Sequence, residues 1–423
     1  MDKLVVAGGR PLHGAVDIGG AKNSALKLLA AALLAPGRSV IENVPRIVDC
    51  RTMTEVVEHL GANVRWDGHT VEIDAAPVDS QDAPYELVSR MRASIIVLGP
   101  LLARFGRARV AMPGGCNIGS RRIDLHLRGL ERMGISFEQE HGYLEATGRL
   151  QGAVVSLGFP SVGATENLLM AAVAAHGTSV IDNAAREPEI GDLADMLTGM
   201  GARIEGAGTH TIEVEGVDGF RPVRHAVVPD RVEAGTFAIA TVAAGGDVLL
   251  NGARAEHLEL PLSKLAEAGA VITDEGDGVR VRMDGRPEAL DPVVTLPYPG
   301  FATDLQPQML AMLATAQGTS IVAENVFEGR FMFVEELERM GADILTRGNH
   351  AVIRGVDRLS AAPVRALDIR AGAAMVIAGL TADGVTEISD VHFIDRGYEG
   401  LEDKLTGLGA EVRRESERSP AFA

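Results

Sequence analysis

The residues with the clearest capacity for chemistry lie in Pro113 to His126, PGGCNIGSRRIDLH. Cys116, one of only two cysteines, sits there among Gly114, Gly115 and Gly119, with Arg121 and Arg122 close behind. Adjacent cations favour the thiolate over the thiol. The glycines allow a loop that changes shape and brings its backbone close to a ligand, so the segment could carry a thiol into a site and out again. The same residues also describe a glycine-rich connector holding a small, inert, buried cysteine.

A second set of unusual residues stands at helix starts. Lys22, Arg92 and Arg370 each precede or open an apolar segment with helical character. They place cations at an end that ordinarily prefers anions. Such local conflicts concentrate at functional sites, and a cation beside exposed helix N–H groups suits a phosphate or carboxylate. The alternatives are a salt bridge or a solvated side chain. Asp304, in FATDLQPQ, occupies the same place in its own segment, where it is either a helix cap or a general base for a sugar hydroxyl. Further unusual residues, five charges and the thiol, fall in the loops that follow short strands: Asp49, Cys116, Arg121, Glu187, Arg330 and Arg396. His126, one of 11 scattered histidines, is either a hydrogen-bonded structural residue or a ligand contact.

The elements that position these residues are repeated. An amphipathic segment ending in glycine and followed by a strand-like run recurs at Gly61, Gly134, Gly201, Gly269, Gly341 and Gly409. The spacing is roughly 70 residues, and each glycine has the placement of a left-handed helix cap. A second phrase keeps the same period: apolar helices beginning near Lys22, Arg92, Gly163, Glu233, Asp304 and Arg370, hydrophobic on nearly every face and therefore buried on all sides. Each repeat reads as buried helix, strand, loop, amphipathic helix, strand, turn, strand. The fold class is α/β, in two lobes of three repeats each. One lobe is expected over 22–229, and the other over 230–423 completed by 1–21. The tail from Glu415 reads as loose.

Composition narrows the function. A formal charge of −18 argues against binding nucleic acid through a general basic surface, so an anionic substrate requires a local basic site. Two cysteines in 423 residues give neither a disulfide framework nor a zinc pattern, and no histidine pair has metal-ligand spacing. No metal or cofactor is expected. GGAKNS lacks the Walker A spacing, and no GxGxxG follows a strand. MDKLVVAGG lacks the apolar stretch of a signal peptide, and Ala25 to Ala35 is too short to span a bilayer. The expected setting is the cytoplasm, with no membrane association.

The chain resembles the UDP-N-acetylglucosamine 1-carboxyvinyltransferase family of enolpyruvyl transferases. The resemblance rests on GGAKN at Gly19 to Asn23, MRASI at Met91 to Ile95, PGGCNIGSR at Pro113 to Arg121, AAREPEI at Ala184 to Ile190, PDRVEAGTF at Pro229 to Phe237, TDLQ at Thr303 to Gln306 and IDRGYE at Ile394 to Glu399. These follow in order from Met1 to about Arg414. The resemblance implies two inside-out α/β lobes of three units each, with the active site in the interlobe cleft. It implies transfer of the enolpyruvyl group of phosphoenolpyruvate to the 3′-hydroxyl of UDP-N-acetylglucosamine, with release of phosphate.

By the same resemblance, Lys22, Arg121 and Arg396 hold the phosphate of phosphoenolpyruvate, with Asn23 and Arg92 close by. Arg330 and Arg370 bind its carboxylate side or brace the closed state. Cys116 is the proton donor to the methylene carbon and the target of fosfomycin, and Asp304 is the base near the sugar hydroxyl. Arg121, Arg122, Ile123, Asp124 and Leu125, then Phe159, Pro160, Ser161 and Val162, and finally Val326, hold the nucleotide sugar. The chain departs from the usual family pattern at Arg122, Ala302, Gly329, Phe333 and Leu367. The rival readings are a related transferase acting on shikimate 3-phosphate and a weakly active paralogue that binds a UDP-sugar as a regulator.

Overall fold

Apolar helices with no polar face must be covered on all sides, and the chain achieves this by wrapping small sheets around them. The computed structural model describes residues 2–112 and 123–416. The chain divides into two compact units, one of residues 20–112 and 123–228, the other of residues 2–19 and 229–416. Each unit has its own apolar core and three four-stranded sheets.

The sheets share one plan. In the first, Arg38–Glu42 runs parallel to Arg224–Ala226, with Val40 opposite Arg224, and antiparallel to Thr70–Asp74, with Val40 opposite Glu72. Asn63–Asp67 closes the other edge. Burial alternates along Thr70–Asp74, placing Val71 and Ile73 in the core, as expected of a sheet covered on one face. The first sheet of this unit is thus completed by a strand from its last residues. The other unit is completed from the N-terminus. Asp2–Ala7 lies between Val385–Ser389 and Glu411–Ser416, and Leu12–Asp17 pairs with Gly246–Asn251.

The helices inside are buried as their composition demands. Lys22–Ala31 is buried along its length except at Asn23, and all of Gln306–Leu313 is buried. In the unit of residues 229–416, Arg231–Ala244, Gln306–Leu313 and Ile369–Thr381 pack on one another. The outer amphipathic helices end at the six repeat glycines, whose φ values all lie between +89° and +111°, so a side chain there would be strained.

Two local expectations are corrected. The buried helices of the second and fifth repeats begin as 3₁₀ turns, Arg92–Val97 and Thr303–Leu305, before turning α-helical. Pro100 and Pro307 lie in the first turn of the α-helices that follow, where a missing N–H is tolerated. The chain is also not loose from Glu415: Glu415 and Ser416 pair with Lys3 and Asp2.

Candidate active site

In the unit of residues 20–228, the helix Lys22–Ala31 starts without a side-chain cap, since Ala21 occupies that position. The ammonium of Lys22 lies 2.9 Å from Oδ2 of Asp49, and both side chains are buried. Asp49 comes from the first turn of Val48–His59, where a carboxylate is favoured by the helix dipole. It also supplies the counter-charge that a buried ammonium requires. Asn23, half-buried, follows directly.

The turn that carries these residues is anchored from behind. Ser24 Oγ donates to Asp192 Oδ2, and Asp192 also accepts from the backbone N–H of Val228 at 3.2 Å and contacts His225 Nε2 at 2.7 Å. Lys27 Nζ donates to the carbonyl of Asn23 at 2.6 Å and lies 3.4 Å from Glu166. Glu166 is completely buried. Burial pushes its carboxyl up to about 8; Lys27 opposes that shift, whereas Glu189 and Glu187 add to it.

Arg92 opens its 3₁₀ turn and is half-buried. Nearby, the Asn167 amide accepts from Gly99 N–H at 2.6 Å, so its nitrogen faces His126 Nδ1 at 3.1 Å and Ile95 O at 3.2 Å. An amide nitrogen only donates, so His126 Nδ1 accepts and the ring proton sits on Nε2. Burial foremost, and then the charge of Arg92, lower the His126 pKa to about 4, against the opposing pull of Asp124. His126 is therefore a neutral, hydrogen-bonded residue near neutral pH.

In the unit of residues 229–416, Asp304 does not cap its helix. The 3₁₀ turn Thr303–Leu305 starts from Ala302, and the following helix has no side-chain cap. Instead, Asp304 Oδ1 accepts from Arg330 Nη2 and Oδ2 accepts from Arg370 Nη2, each at 3.0 Å. Both arginines are buried, at 2% and 4% exposure. Burial works against the charge of Arg370, but Asp304 and then Tyr398 outweigh it and hold its pKa above the ordinary arginine range. The Arg370 guanidinium lies 5.4 Å from the ring centroid of Tyr398. The Tyr398 hydroxyl in turn meets Thr236 Oγ1 at 2.9 Å and accepts from Gln308 Nε2 at 3.1 Å.

The remaining residues expected from sequence are distributed as follows. Arg396 ends the 3₁₀ helix Val391–Arg396 and is half-buried. Val326 is half-buried and donates its N–H to Glu324 Oε1 at 2.8 Å. Ile123, Asp124 and Leu125 lie at the start of Asp124–Arg132, with Asp124 3.5 Å from Arg128. Phe159 is exposed and Pro160 and Val162 are half-buried, while Ser161 caps Val162–Ala172, its Oγ accepting from Ala164 N–H at 3.4 Å. Cys116, Arg121 and Arg122 lie outside the described residues. Cys50 is buried in the apolar core.

Sequence reasoning did not single out Glu324, Thr303, Tyr398, Lys27 or Glu166. For Lys27 and Glu166 a signal existed, since each is a charge inside an otherwise apolar helix. For Glu324 there was none, because a single acid in a loop ordinarily faces water.

The family profile described as EPSP synthase (3-phosphoshikimate 1-carboxyvinyltransferase) matches residues 6–405. The chain is 52% identical to the UDP-N-acetylglucosamine 1-carboxyvinyltransferase of Trichlorobacter lovleyi, covering 99% of this chain and 100% of that protein. It is 51% identical to the protein of the same name from Myxococcus xanthus, covering 98% and 100%. Among solved structures it resembles the enolpyruvyl transferase NikO from Streptomyces tendae, with a TM-score of 0.89 and 28% identity over 99% of both chains. It shares its fold with EPSP synthase from Acinetobacter baumannii, with a TM-score of 0.73 and 16% identity over 98% of this chain and 100% of that one. With relatives at half identity over the full length, and two units built as the repeats require, the chain belongs to the UDP-N-acetylglucosamine 1-carboxyvinyltransferase family of enolpyruvyl transferases.

Proposed function

We propose that this chain transfers the enolpyruvyl group of phosphoenolpyruvate to the 3′-hydroxyl of UDP-N-acetylglucosamine, releasing phosphate by addition and elimination, as the committed step of peptidoglycan precursor synthesis. The observation that carries this reading is the 52% and 51% identity, over whole chains, to relatives bearing that name. The shikimate 3-phosphate reading is not favoured, because the likeness to EPSP synthase structures is at 16% identity and speaks for the fold alone.

In this mechanism Cys116 donates a proton to the methylene carbon of phosphoenolpyruvate while the sugar hydroxyl attacks the adjacent carbon. Asp304 takes the hydroxyl proton, and the tetrahedral adduct then loses a proton and expels phosphate. Lys22, Arg121 and Arg396 hold the phosphate, with Asn23 and Arg92 beside it, and offset the negative charge that accumulates. Arg330 and Arg370 brace Asp304, consistent with their two hydrogen bonds to it. Arg121, Arg122, Ile123, Asp124, Leu125, Phe159, Pro160, Ser161, Val162 and Val326 hold the nucleotide sugar.

Among the described residues no helix is long and apolar enough to cross a membrane. A cytoplasmic location suits a nucleotide-sugar acceptor and a catalytic thiol. The reading is tested by steady-state phosphate release from phosphoenolpyruvate with UDP-N-acetylglucosamine or shikimate 3-phosphate as acceptor. Release with the first and none with the second is expected; the reverse would overturn it.

A further inference from the structure

A buried carboxylate that accepts four hydrogen bonds from three separate stretches of chain is built to fix their relative position. Glu324 is such a group. Its Oε1 accepts from Thr295 Oγ1 at 2.9 Å and from the backbone N–H groups of Val326 at 2.8 Å and Phe327 at 3.0 Å. Its Oε2 accepts from Thr303 Oγ1 at 2.9 Å. Thr303 Oγ1 also receives a hydrogen bond from Arg330 Nη1 at 3.1 Å. The directions are forced, because a guanidinium only donates and an ionised carboxylate only accepts. The threonine hydroxyl therefore relays between Glu324 and Arg330, and Arg330 uses its other terminal nitrogen to hold Asp304.

From this chain of contacts we infer that Glu324 is a positioning residue for the transfer reaction, acting through Thr303 and Arg330 on the carboxylate of Asp304. The inference rests on the reaction proposed above. Its charge polarises the Thr303 hydroxyl and makes its oxygen a better acceptor for Arg330. The same carboxylate holds the turn at Val326 and Phe327, four and three residues ahead of Arg330. Loop and turn are thereby locked in register.

The substitution Glu324→Gln separates the two roles. Its amide oxygen still accepts from Thr295, Val326 and Phe327, but its NH₂ group cannot accept from Thr303 and competes with Arg330 for the hydroxyl oxygen. Thr303→Val breaks the relay at its other end, and Thr303→Ser preserves it. With phosphate release as the assay, wild-type turnover is measured first. Glu324→Gln and Thr303→Val are each expected to lower kcat by about 10- to 100-fold, the scale of a small misplacement at a reacting group. KM for phosphoenolpyruvate stays within a few-fold, and Thr303→Ser retains near wild-type kcat. Because both substitutions cut one relay, the double variant falls no further than the worse single one. A wild-type protein that releases no phosphate fails the reaction reading and takes this inference with it. An active wild type whose folded Glu324→Gln variant keeps its kcat, or whose two losses multiply, overturns this inference alone.

Discussion

Replacing Asp304 by alanine takes from two buried guanidiniums the carboxylate they share, and the size of the consequence follows from their surroundings. Arg330 and Arg370 are almost fully buried, and each gives Asp304 one hydrogen bond of 3.0 Å. Removing one partner of a buried pair costs about 3–5 kcal/mol. The Asp304 side chain keeps 24% exposure, so water reaches the vacated space and the lower end, about 3 kcal/mol, is expected. That corresponds to a faster local opening of roughly 150-fold. The assay is native-state hydrogen exchange read on peptides from Gln306–Leu313 and Ile369–Thr381, where opening should accelerate by about that factor. Peptides from Lys22–Ala31, in the other unit, serve as the control and should not change. Asp304→Asn retains an acceptor for one arginine and should cost about 1–2 kcal/mol. Wild-type exchange in the alanine variant would refute the reasoning, since it would mean the two charges need no shared carboxylate.

The other predictions concern protons and thiols. Glu166, raised to about 8 by burial, is protonated in the folded chain over a range where the unfolded chain has lost its proton. Its contribution to stability is full below pH about 4.5 and declines as pH rises toward about 8, on the order of a few kcal/mol, and Glu166→Gln should flatten that part of the pH–stability curve. An unchanged slope in the folded variant would count against it. His126, lowered to about 4, should stay neutral at pH 5 by NMR, and its contribution should vanish as pH falls from about 6.5 to about 4. A midpoint near the ordinary histidine value would contradict the buried, Asn167-bound setting. Cys116→Ala should abolish turnover and Cys116→Asp should keep it while escaping fosfomycin, whereas Cys50→Ala, buried in the core, should leave activity unchanged. Equal loss of activity in Cys116→Ala and Cys50→Ala, both folded, would remove the thiol from the mechanism.

Periodicity carried most of the fold because the same physical demand recurs in every repeat. A helix without a polar face must be enclosed, and a glycine at the end of its amphipathic neighbour must turn left-handed. Both follow from residue type, and all six glycines adopt positive φ. The 3₁₀ openings were less legible, since they depend on where Pro100 and Pro307 fall relative to the helix start. Pairing at Glu415 and Ser416 was hidden because their partners are Lys3 and Asp2, at the other end of the chain.

At the candidate site, charge type and position singled out Lys22, Asp304, Arg330 and Arg370 as candidates. Their partners were out of reach of local reasoning. Asp304 reads equally well as a cap until Arg330 and Arg370 are seen on its two oxygens, 26 and 66 residues away in sequence. Glu324 is an ordinary loop acid until three backbone and hydroxyl donors converge on one of its oxygens. Contacts of this kind are set by tertiary packing and leave no local periodic trace.

The most direct test of the proposed reaction is the fate of the three-carbon unit. The chain is incubated with phosphoenolpyruvate and UDP-N-acetylglucosamine, phosphate is quantified, and the acceptor is recovered for mass spectrometry. The account predicts a nucleotide sugar heavier by one enolpyruvyl group, formed in equal amount with phosphate. Phosphate accompanied by free pyruvate and an unaltered acceptor would contradict it.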